Sequence, residues 1–167
     1  MRSNGFDAFD MLRRDHAECI HRIAMLETAS DSIRLHGFSA HEFGNIVEAV
    51  EYIDSQLRNH HGLEERHLFP FLERHAPERL AKLREEHRQL WSTFGKLLRS
   101  VRDIQDGRIY GTSIIELTST SNIMAKLLHS HINDEETVLF PLVKGFLTEK
   151  EYESLSNEIE RSSRHNQ

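Results

Sequence analysis

A single cysteine, Cys19, stands in 167 residues, so no disulfide can form within the chain and its stability must come from a packed core. The lone thiol also fits a reducing compartment. No stretch approaches the roughly 18 consecutive apolar residues of a membrane span, so no membrane partner is expected. The first residues, Met1-Arg2-Ser3-Asn4-Gly5-Phe6-Asp7, lack the apolar core of a secretory signal, which leads us to expect a cytoplasmic protein. Positive charge does not dominate. Lys and Arg number 21 against 27 Asp and Glu, a formal net charge of −6, and no basic stripe emerges that would select nucleic acid as a partner. Only three prolines and eight glycines punctuate the chain, which leaves room for long helices and little signal for strands and hairpins.

Histidine, by contrast, is abundant: twelve in one small acidic chain, scattered rather than grouped at a terminus. Some of them belong to an internal repeat. His60-His61-Gly62-Leu63-Glu64-Glu65-Arg66-His67-Leu68-Phe69-Pro70 returns 71 residues later as His131-Ile132-Asn133-Asp134-Glu135-Glu136-Thr137-Val138-Leu139-Phe140-Pro141. The shared string is His-x-x-x-Glu-Glu-x-x-Leu-Phe-Pro. On a helix, residues i and i+4 lie one turn apart on the same face, so His60 with Glu64, and His131 with Glu135, each present an imidazole and a carboxylate to a common point. The same offset relates His16 to His87, Leu12-Arg13 to Leu83-Arg84, and Asp15 to Glu86.

Apolar residues recur at threes and fours throughout. A first helix is expected from about Asp7 to Leu35, with an inward stripe of Leu12, His16, Cys19, Ile20, Ile23 and Leu26, ended by Gly37. Ser39 and Glu42 form a capping box for a second, running to about Arg74 with a kink at Pro70; its stripe carries Ile53, Leu57, His60, Glu64, His67 and Phe71. Pro77 opens a third helix, with His87 inward, that stops near Gly107. Ser113 and Glu116 box the start of a fourth, with Leu128, His131, Glu135, Val138 and Leu142 inward, ending near Gly145. Thr148 and Glu151 cap a short fifth helix over about 148–162, and the polar tail from Arg161 is expected to fray. The fold class is therefore all-α: an antiparallel up-and-down four-helix bundle, built as a duplicated helical hairpin, plus a short C-terminal fifth helix. One domain is expected over residues 1–167, with the bundle at about 7–145.

Each stripe then carries polar residues at a corresponding depth: His16, His60, Glu64, His87, His131 and Glu135. A lone inward histidine is best read as a hydrogen-bonded core residue. Six such groups in an apolar bundle would cost several kcal/mol per uncompensated ion, and no inward Lys or Arg is at hand to balance the carboxylates. A pair of metal ions would.

This motif order resembles the hemerythrin-like family of cation-binding domains, over roughly residues 7–145. The resemblance implies a non-haem diiron centre inside a four-helix bundle, with two iron ions as cofactor. Carried over residue by residue, His16 and His60 would bind one iron, His87 and His131 the other, and Glu64 and Glu135 would bridge. Two departures stand out. Oxygen-carrying members have a second histidine one turn further along the third helix, where this chain has Trp91, and the group after the fourth-helix histidine is Glu135 rather than a later aspartate. On this reading the iron of His87 and His131 keeps an open position, which favours turnover over reversible carriage.

Neutral imidazoles and two carboxylates leave two ferrous ions a net positive charge, so small anions are favoured, and dioxygen, peroxide or nitric oxide are the expected partners, with an unidentified electron donor. The protein is then either an oxidoreductase acting on such oxidants or a non-enzymatic binder or sensor of oxygen, nitric oxide or iron. His67, three residues past Glu64, is a candidate pocket residue or fifth ligand. Cys19 reads as a buried inert thiol and Tyr52 as packing. His21, His36, His41, His61, His75, His129 and His165 are expected at the surface or supporting the ligands from outside. A ferritin-like alternative needs Glu-x-x-His strings; Glu18 to His21 and Glu64 to His67 fit, but both lie in the first hairpin.

Overall fold

The computed structural model describes residues 7–164 and is helical, with no strand among the described residues. Helix α1 (Ala8–His36) starts where the Asp7 side chain accepts from the amides of Phe9 and Asp10, and ends at Gly37, whose φ of 92° favours glycine. Ser39 caps α2 (Ala40–Tyr52), which continues through a π-helical turn, Ile53–Leu57, into α3 (Arg58–His67) and, after a break at Leu68, α4 (Phe69–His75). The break falls two residues before the kink expected at Pro70. Pro70 thereby sits in the first turn of α4, where its missing N–H costs no helical bond.

Helix α5 (Pro77–Gln105) opens on Pro77, and Gly107 turns the chain at φ 83°. Helix α6 (Gly111–Asp134) starts two residues ahead of the expected Ser113 box, with Tyr110 at its cap position. A second π turn, Glu135–Leu139, leads into α7 (Phe140–Phe146). The last helix, α8 (Glu149–Arg164), is held at its start by Thr148, whose amide donates to Glu151 (2.9 Å) while the Glu151 amide donates back to the hydroxyl (3.4 Å). It runs past Arg161, where fraying was expected; His165 lies outside the described residues.

The π turns change which residues face inward. Each accommodates one residue more than an α-helical turn, displacing the side chains beyond it around the helix. After the second, Leu139, Phe140 and Val143 are buried in place of the expected Val138 and Leu142. After the first, His61 joins His60 in the interior.

Helix α1 packs against α2 and α6, and α5 against α6. Two apolar clusters form the core. One includes Ile23, Leu26, Ile53, Leu57, Leu90, Phe94, Met124 and Leu128, the other Phe9, Leu12, Leu68, Leu72, Leu83, Leu139 and Phe140, with Leu155 and Ile159 of α8. Burying each of the larger side chains stabilises the fold by about 1.5–3 kcal/mol. Each of the four long helical stretches passes from one cluster to the other through a buried polar residue or group of them. Ile20, expected in the core, is 40% exposed. No helix among the described residues is long and apolar enough to cross a membrane.

Candidate metal centre

The six polar residues read from the stripes are all brought together in the interior, none more than 3% exposed. Their mutual geometry follows the repeat. His60 Nε2 lies 3.1 Å from Glu64 Oε1, and His131 Nε2 lies 3.2 Å from Glu135 Oε1, each across one helical turn. The second oxygen of each carboxylate reaches the other hairpin: Glu64 Oε2 is 3.5 Å from His87 Nε2, and Glu135 Oε2 is 3.0 Å from His16 Nε2. Each carboxylate thus spans one histidine of each pair.

The outer nitrogens are held just as regularly. His16 Nδ1–H donates to Glu136, His60 to Asp15, His87 to Glu65 and His131 to Glu86, at 2.9 to 3.0 Å. Asp15 and Glu86 are one repeat apart, as are Glu65 and Glu136, so the second glutamate of the repeated string orients a ligand of the opposite hairpin. The repeated phenylalanine does similar work: Phe140 stacks on His16 (centroids 5.5 Å, 5° between planes) and Phe69 lies 5.4 Å from His87. A carboxylate can only accept, so the proton of each of these rings sits on Nδ1 and the Nε2 lone pair points inward. Four bare nitrogens therefore face carboxylate oxygens, and His16 Nε2 faces His60 Nε2 at 3.1 Å. Acceptors crowded at such distances repel unless a proton or a cation lies between them. Both oxygens of Glu64 and of Glu135, with the Nε2 atoms of His87 and His131, are buried without a hydrogen-bond partner. A metal pair fits this donor set.

A seventh group corrects the sequence reading. His61, expected at the surface or outside the ligands, is 2% exposed, stacks on His87 (4.0 Å, 8°) and meets His131 edge to face (5.1 Å). Neither ring nitrogen has a partner. The donors form two metal-sized groups: His61, Glu64, His87 and His131, and His16, His60, Glu64 and Glu135. The repeat held a signal for this. Position 61 corresponds to Ile132, an apolar residue that is itself buried.

His67 is corrected in the opposite sense. It is half-buried away from the donors, with Nε2 2.9 Å from Ser162 Oγ and Nδ1 3.5 Å from Glu158, so it tethers α8. The ferritin-like strings do not converge either, because Glu18 and His21 are exposed. Cys19 is buried, its thiol pushed up to about 12 by burial and the nearby carboxylates. Tyr52 is half-buried and donates to the Asp15 carbonyl (3.4 Å).

Without metal, protons must do the balancing. Burial, reinforced by Glu64, pushes the Glu135 carboxyl up to about 8, while the adjacent imidazoles hold Glu64 well below the usual range against its burial. Burial would lower His60, but Glu64 and Asp15 raise it to about 10. Burial beside His87 drives His61 far down, leaving it a neutral ring with a free lone pair at physiological pH.

The family model of the hemerythrin HHE cation-binding domain matches residues 7–144. The chain belongs to this family. A search of curated proteins gave no match. The matched hemerythrin domain covers every donor described above, and α8 lies beyond it.

Proposed function

We propose that this hemerythrin-like domain holds two iron ions in its polar layer, one at His61, His87 and His131 and one at His16 and His60, with Glu64 and Glu135 bridging, and that the centre binds and reacts with dioxygen, peroxide or nitric oxide. The scaffold is a duplicated helical hairpin closed into an up-and-down four-helix bundle, with α8 as the fifth helix. Iron would supply a redox-active Lewis acid at a site that excludes bulk water. The chain's own residues do the rest. Asp15, Glu65, Glu86 and Glu136 fix each imidazole's tautomer and direction, Phe140 stacks on the His16 ring, and Phe69 packs at a tilt against His87.

The observation that carries this reading is the inequality of the two donor groups. His61 gives one ion three imidazoles, whereas the corresponding Ile132 leaves the other with two. An open position would then lie at His16 and His60, rather than at His87 and His131 as the absence of a histidine at Trp91 led us to expect. A small oxidant needs such a position. Burial of every donor limits access to ligands of a few atoms.

A second reading, reversible binding or sensing without turnover, draws support from the same residue, since His61 provides the fifth histidine whose absence argued against carriage. One experiment decides between them. Iron analysis should give two ions per chain; hydrogen peroxide added to the diferric protein should then be consumed, with oxygen evolved or a donor oxidised. A stable oxygen adduct of the diferrous protein that reverses on evacuation, with no peroxide turnover, establishes the carrier reading instead, and an iron-free protein overturns both.

A further inference from the structure

The seven donors are at most 3% exposed, so an organic reductant cannot reach an ion among them. One donor, however, borders a surface cavity. A cleft of about 500 Å³ between α3–α4 and α5 has His87 in its wall, beside Glu65, the carboxylate that accepts from His87 Nδ1. Phe69 and Trp91 supply aromatic lining, and Glu73, Arg84 and Arg88 charged lining. The cleft combines two aromatic side chains with the carboxylates of Glu65 and Glu73, of which Glu65 is the one that contacts His87, in a volume typical of small-molecule sites. Phe69 lies 5.4 Å from the His87 ring, and the Arg84 guanidinium lies over the Phe69 ring, 5.8 Å from its centroid. Trp91 is held in place by Arg58, whose guanidinium lies 4.1 Å over its ring, and packs edge to face on His61 (5.5 Å).

We infer that this cleft binds a small phenolic reductant, such as a monophenol or hydroquinone, which passes electrons to the buried centre through the His87 ring. The inference rests on the peroxide reading above. The aromatic ring of the donor lies against Phe69 and Trp91, and its hydroxyl donates a hydrogen bond to Glu65. Each of two phenols in turn loses one electron and its O–H proton, which leaves to solvent through the open cleft, and becomes a phenoxyl radical. Hydrogen peroxide, entering separately, takes up the two electrons and two protons, its O–O bond breaks, and two waters result. The reductant stays outside the donor shell, which reconciles an organic electron source with a site closed to all but small ligands. The pseudo-equivalent of Trp91 in the first hairpin is the exposed Ile20, so the aromatic wall belongs to the three-histidine side alone.

The test uses the iron-loaded full chain carrying Glu73→Cys, before and after alkylation with N-ethylmaleimide. Cys19, 1% exposed, is protected, and Trp91, the only tryptophan, reports on the cleft. With 2-methoxyphenol as probe, Trp91 fluorescence should quench saturably and phenol oxidation should show a KM. Alkylation should abolish the saturable quench and raise that KM about tenfold or more, leaving iron content and phenol-free peroxide consumption unchanged. If peroxide is consumed but alkylation alters neither the quench nor the KM, the cleft assignment is wrong and the diiron reading survives. If the quench is saturable and blocked but peroxide is never consumed, the phenol site stands and the oxidant reading fails.

Discussion

The two hairpins are copies in pattern and unequal in chemistry. Across the 71-residue offset, histidine, buried glutamate, outer carboxylate and phenylalanine are all reproduced, with 3.1 Å and 3.2 Å between the histidine and glutamate one turn apart and 5.5 Å and 5.4 Å between phenylalanine and imidazole, although Phe140 stacks on His16 at 5° and Phe69 meets His87 at 37°. One position breaks the symmetry at the centre, His61 against Ile132. The difference teaches that a duplicated scaffold secures the shared donors, while a single unmatched residue gives one donor group a third imidazole and leaves the other with two.

The largest effect should come from Glu64→Ala, because Glu64 completes both compact donor groups, whereas Glu135, although its other oxygen reaches His131 (3.2 Å), completes only the one with His16 and His60. Glu64→Ala should strip iron from both positions and lower the melting temperature by about 10 °C, whereas Glu135→Ala should leave iron on the three-histidine side. Elemental analysis and thermal melts of the two variants make the comparison; equal iron retention would refute the shared role of Glu64.

The asymmetry itself can be exchanged. His61→Ile should give two equivalent two-histidine positions and weaken the ion at His87 and His131. Ile132→His should occupy the open position beside His16 and His60, leaving iron content intact but suppressing azide or peroxide binding in optical spectra. If Ile132→His binds azide normally, the open position has been placed on the wrong ion.

Removing the metal should expose a pH dependence. In the metal-free chain Glu135 and His60 hold protons to about 8 and about 10, above their ordinary values of 4.5 and 6.5. The folded state thus binds protons that the unfolded chain has released, so stability falls as pH rises above the ordinary values through about 8 for Glu135 and about 10 for His60. His16 and His61, shifted down, act on the acid side of this window. The melting temperature of chelated protein should drop from pH 7 to 9 while that of loaded protein stays nearly level, because the ions displace those protons.

Outer carboxylates should matter less and in matched pairs. Glu65→Gln and Glu136→Gln each loosen one imidazole, His87 and His16, and should weaken metal binding by about 10- to 100-fold in competition with a chelator. The smallest effect belongs to His67→Leu. Losing the bond to Ser162 should cost about 1 kcal/mol or less, speed amide exchange in α8 and leave iron content unchanged; a lost iron would return His67 to the ligand set.

Much of this protein is written in local pattern. Helical periodicity, caps at Asp7, Ser39 and Thr148, and proline at the start of α5 fix the helices, because these are interactions within a few residues of chain. The internal repeat brings His16, His60, Glu64, His87, His131 and Glu135 to one depth, since the i,i+4 spacing and a common offset leave few other ways to bury them. The pairing of Asp15 with Glu86, and of Glu65 with Glu136, was visible as matched acids without a stated role. What tertiary structure alone decided is the direction of side chains beyond the π turns. Periodicity assumes a constant angle per residue, and one extra residue in a turn shifts everything after it. That shift brought His61 inside and Phe140 onto His16, while α8 claimed His67. The inequality of the two donor groups follows from that rotation, because the number of imidazoles in each depends on where the side chains point once the helices are packed.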